Sequence, residues 1–146
     1  MNLQSSTLLS EDTGVPFDQL QAEQIRLYRD AWAERGWPRE PRVSVSRSVL
    51  PITEDIDRMY FGDPAHEDQI GLLEGVRSRF GRTYVGEPDR IAAELAADEA
   101  VREADTVLFT VPNQLGVAYN ARILGTLARD IAPAVGWTPA AAASAA

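Results

Sequence analysis

The stretch PRVSVSRSVLPI, residues 41–52, alternates strictly between two kinds of side chain. Val43, Val45, Arg47 and Val49 fall on one side of an extended chain, and Ser44, Ser46 and Ser48 on the other, because successive Cβ atoms of a strand face opposite ways. A period of two over this length predicts a β-strand. Three serines on one face are too polar for a plain hydrophobic core. They suit a barrel interior, where small residues fill the layer near a ligand. Arg47 stands in line with valines, so its charge must be paired or solvated.

The remaining segments alternate in type. Residues 1–9, MNLQSSTLL, read as a short strand, and 10–16 as a turn. Residues 16–37 form an amphipathic helix, with Ile25, Tyr28 and Trp32 in its apolar stripe, Pro16 in its first turn and Gly36 at its end. Residues 53–88 are irregular, with short helices expected around 54–61 and 66–79. A helix starts at Pro88 and runs to 104, carrying Ile91, Ala92 and Leu95 on its stripe. ADTVLFTVP, residues 104–112, reads as a continuous, β-branched strand, as a strand covered on both faces would be. The closing helix spans 117–137 with Tyr119, Ile123, Leu124, Leu127 and Ile131 inward, and residues 138–146 are an alanine-rich, disordered tail. The order β–α–β–(insertion)–α–β–α predicts parallel strands with right-handed crossovers in one domain over residues 1–137. Three strands cannot close a barrel, which takes about eight strands and roughly 250 residues. The chain reads as part of something larger.

Composition narrows the partners. With 14 basic and 22 acidic residues among 146, the formal charge is −8. That argues against nucleic acid and anionic membrane surfaces. There is no cysteine, hence no disulfide framework and no thiolate chemistry. No leader or membrane-spanning run is recognisable, so a cytoplasmic location is expected. All basic residues are arginine, as a genome-wide codon bias would produce.

RVSVSRSVLPI, FGRTYVGEPDRIAAEL and TVPNQLGVAYN occur here in one order. Together with MNLQSSTLL, YRDAWAERGW and DRMYFG they resemble the C-terminal part of the luciferase-like flavin-dependent oxidoreductases. The resemblance covers residues 1–137. It implies the C-terminal portion of a (β/α)8 TIM-type barrel, α/β in class, with about three parallel strands and flanking helices. It also implies FMN, or a deazaflavin, as cofactor and a small-molecule substrate, in an oxidoreductase or monooxygenase. Compared with the family, the first strands of the barrel are missing. The alternative is a non-catalytic chain that self-associates as a homo-oligomer or joins a partner supplying the missing barrel half.

Barrel sites lie at the C-terminal ends of strands, so three strand ends carry the cofactor-binding candidates. Gln4, Ser5 and Ser6 offer the donors that a flavin ring edge needs, or else cap the next turn. Ser46 and Arg47 belong to the second strand end. Arg47 pairs with a flavin phosphate, a substrate carboxylate, or an acidic residue of the 53–88 insertion. Asn113 and Gln114 follow Pro112, which ends the third strand; their amides orient a flavin or cap the next helix. His66 is the only histidine, and its acidic surroundings suggest a solvated side chain. With one histidine and no cysteine no zinc site is expected. No catalytic acid or base stands out, and no Ser–His–Asp pattern is present.

Overall fold

A computed structural model describes residues 2–5, 8–9, 14–73 and 76–138. Ser6 and the tail from 139 lie outside the described residues. Among the described residues, six strands and five α-helices follow one another: β1 (Asn2–Ser5), β2 (Leu8–Leu9), α1 (Phe17–Glu34), β3 (Arg42–Pro51), α2 (Asp55–Phe61), β4 (Ala65–Leu73), β5 (Val76–Gly86), α3 (Pro88–Ala97), α4 (Glu99–Glu103), β6 (Thr106–Thr110) and α5 (Val117–Thr126).

The described strands form one six-stranded mixed sheet. β3 is its hub: it runs parallel to β1, β5 and β6. β5 pairs antiparallel with β2 and with β4. This corrects the expected fold class. The chain is not a piece of an all-parallel (β/α)8 barrel with three strands. The segment expected to be helical at 66–79 instead forms an antiparallel hairpin of β4 and β5, which enters the sheet beside β3.

Helices cover one face of the sheet. Val43, Val45 and Val49 of β3 and Tyr84 of β5 pack against Ile25 of α1, Ile91 and Leu95 of α3, Val101 of α4, and Ile123 of α5, with Leu127 and Ile131 beyond it. Each such aliphatic side chain stabilises the fold by about 2 kcal/mol. The opposite face is open. β6, expected to be buried on both sides, instead alternates between exposed and half-buried residues. The expected helix 87–104 breaks at Asp98, which caps α4 by accepting a bond from the Val101 N–H. The closing helix changes pitch after Thr126, with a π turn at Leu127–Ile131 and a 3-10 turn at Ala132–Val135. Leu124, expected inward, is 52 % exposed.

Candidate functional site

The alternation of β3 sorts the candidate residues onto two faces. Arg47 lies on the helix-covered face and its side chain is fully buried. It donates from Nε to Asp98 Oδ2 at 2.8 Å, from Nη2 to Asp98 Oδ1 at 2.9 Å, and from Nη1 to the Ser46 carbonyl at 2.8 Å. Tyr84 donates its hydroxyl to Asp98 Oδ2 at 2.7 Å. Burial alone would raise the Asp98 pKa, but Arg47, Tyr84 and the Val101 N–H hold it below the usual carboxylate range. Burial first, and the neighbouring Asp98 next, push the Tyr84 phenol up. Arg47 is therefore a structural pair. Its acid lies at the α3–α4 junction rather than in the 53–88 insertion. A two-pronged guanidinium–carboxylate contact of this kind is rigid, and removing one partner costs about 3–5 kcal/mol.

Ser5 is buried too. Its hydroxyl donates to Gln24 Oε1, and both its carbonyl and its hydroxyl receive Gln21 Nε2, at 2.9 and 3.3 Å. It ties β1 to α1. Gln4 faces the other way: it is exposed and in register with Ser44.

The open face carries a polar row across four strands. Ser48 Oγ meets Thr110 Oγ1 of β6 at 2.8 Å. Gln69 of β4 donates to Ser48 Oγ at 3.2 Å and to Thr83 Oγ1 of β5 at 2.7 Å. The register sets Ser48 beside both Thr83 and Thr110, close to the C-terminal ends of three parallel strands. Ser46 and Ser44 continue the row down β3, half-buried, with exposed Leu108 beside Ser46 on β6. A cleft of about 410 Å³ adjoins the row, lined by Phe61, Asp63, Glu67, Gln69, Thr83 and Val85 among others. Hydroxyls and a primary amide both donate and accept, so the row can follow a flat heteroaromatic edge that alternates N–H and C=O groups.

Asn113 and Gln114 sit in the 3-10 turn Asn113–Leu115 directly after β6. Gln114 is exposed, and the side chain of Asn113 lies outside the described residues. The N-cap position of α5 is taken by Gly116. His66 lies on β4, and its side chain is likewise not described.

Above these strand ends, Asp57 of α2 is buried in a second charge cluster. It accepts bonds from the Thr53 and Glu54 N–H groups at 2.8 and 2.9 Å and from the Thr53 hydroxyl at 3.0 Å. Arg122 of α5 reaches both of its oxygens, and Tyr119 donates to Oδ1. Burial opposes ionisation here, yet Arg122, Tyr119 and the two backbone donors hold Asp57 well below the usual range. Burial and the bond to Asp57 push Tyr119 up to about 12. Asp57 and Asp98 thus stay ionised and saturated, and neither is available to take up a proton near neutrality.

The sequence points to Ser46 and Ser48 through the β3 alternation. It carries no signal for Gln69, which falls in the segment 66–79 expected to be helical, or for Thr83, which falls in the irregular remainder of 53–88. Among the described residues no group of three or more His, Cys, Asp or Glu can hold a metal ion, and no helix is long and apolar enough to cross a membrane. No family model, curated protein or solved structure matches the chain.

Proposed function

We propose that this chain forms one wall of a flavin site in an oxidoreductase or monooxygenase of the luciferase-like kind, acting in the cytoplasm on a small molecule. The observation that carries the reading is the Thr110–Ser48–Gln69–Thr83 row on the open sheet face, beside the motifs that resemble that family. FMN, or a deazaflavin, would lie with its ring edge along this row, reached also by Ser46, Gln4 and Gln114. The chemistry such a group supplies is hydride transfer or reaction with O2. The residues fit the ring better than the phosphate. Arg47 is committed to Asp98, and Arg82 to Asp18 and Asp68 at 3.0 Å each, so a phosphate would need donors from outside the row. The protein's part is to orient the ring and keep water from it. With Asp57 and Asp98 locked as anions, no side chain of the two clusters serves as acid or base.

Titrating the purified chain with FMN and with a 5-deazaflavin, followed by flavin fluorescence, tests this reading. Quenching is expected at micromolar to high micromolar flavin. Ser48→Val removes one donor–acceptor from the centre of the row and should weaken binding about 2- to 10-fold, the worth of one hydrogen bond. Unchanged fluorescence up to high micromolar flavin would defeat the proposal.

A further inference from the structure

We propose that β6 and the outer flank of α5 together form a twofold interface between two copies of this chain. Two features of these consecutive elements carry the proposal. First, β6 pairs with β3 and with no other strand among the described residues, which makes it an end strand of the described sheet. End strands are normally guarded by charge, proline or a bulge. β4, at the other end, carries Glu67 and Asp68 and is broken by a bulge between Gln69 and Ile70. β6, with the sequence TVLFT, has none of these.

Second, α5 exposes an apolar flank. Val117 is 88 % and Leu124 52 % exposed, and Ala121 between them is exposed. Positions spaced i, i+4 and i+7 lie along one side of a helix. The other sides of α5 are taken: Tyr119 and Arg122 bind Asp57 of α2, and Ile123 enters the core. Among the described residues the flank is thus the exposed side of α5, on the helix that follows the end strand.

Charge selects the occupant. Each copy carries −8, so two copies repel across most of their surfaces. Residues 106–128 contain a single charge, Arg122, and it is neutralised by Asp57. This is where two acidic copies can meet without opposing like charges, whereas a basic partner would favour the acidic surfaces. A twofold axis through the β6 edge pairs the two strands antiparallel, makes the two sheets continuous and sets one α5 flank against the other.

Sedimentation velocity of the whole chain over a micromolar to several-hundred-micromolar series tests this. The expected result is a concentration-dependent species at twice the 16.0 kDa chain mass. Leu124→Glu should raise its dissociation constant about tenfold or more. Met59→Glu, at a 79 % exposed position on α2, should leave it unchanged. Because the chain has no cysteine, single variants Thr106→Cys, Leu108→Cys and Thr110→Cys report the register: the position nearest the axis should cross-link on mild oxidation, since directly opposed strand residues lie within disulfide reach. A monomer throughout the series overturns the proposal. So does a dimer that survives Leu124→Glu with no cross-link at any of the three positions, or one lost equally in Met59→Glu. Flavin binding by a monomer would leave the functional reading intact while refuting this interface.

Discussion

Carboxylates taken out of water are costly unless their lone pairs are filled, and Asp57 and Asp98 meet that condition with different partners. Asp98 is closed by one arginine, one phenol and one N–H. Asp57 is closed by an arginine, a phenol, a hydroxyl and two N–H groups. Both have depressed pKa values in the fold. Their stabilisation is therefore complete above the unfolded value of about 4 and fades as pH falls below it. Tyr119 works in the opposite direction. Its folded pKa, about 12, lies above its ordinary 10.0, so the protonated phenol is favoured by folding. That contribution is complete below pH 10 and lost as pH rises toward 12. Urea midpoints measured from pH 8 to 12 should fall in the parent chain and fall less steeply in Tyr119→Phe. Equal slopes would show that Tyr119 contributes nothing of this kind. At this scale the sequence is half legible: a lone arginine among valines demands a partner or solvent. Its partner does not stand out, because Asp98 sits in an unbroken helix-like run, AADEAVRE.

Among the elements, α1, β3 and β6 follow from periodicity and caps with bounds close to the expected ones, whereas the helices begun at Pro88 and Val117 start where expected and end early, at Ala97 and Thr126. The β4–β5 hairpin escapes the same reasoning for a physical reason. Ile70, Leu73, Val76 and Phe80 recur every three or four residues, which mimics one face of a helix. Pairing with β3 decides otherwise, because Thr83, Tyr84 and Val85 complete the ladder along Ser48, Val49 and Leu50. The junction from β6 into α5 depends on a glycine. Gly116 has φ 80° and ψ 167°, a region almost closed to other residues. Nothing crowds its absent Cβ, so the demand is conformational rather than steric. Gly116→Ala should lower unfolding free energy by about 1–3 kcal/mol in urea denaturation, with the slope unchanged. A neutral effect would mean that the turn holding Gln114 relaxes freely.

Over the whole molecule the governing fact is asymmetry: one sheet face is sealed by helices and the other presents hydroxyls, an amide and a few apolar side chains. The strict alternation of β3 makes that division legible in the amino-acid order alone. It does not reveal that Arg47 and Ser5 belong to the sealed face's internal bonding, or that a hairpin contributes half of the polar row. The central claim is that the open face is the ligand-binding one. Backbone amide NMR of the labelled chain, recorded while FMN is added, tests it most directly. Shifts should concentrate at Ser46, Ser48, Gln69, Thr83, Thr110 and Gln114, with α1 and α3 unmoved. Shifts confined to the helical layer, or none at saturating flavin, would contradict it.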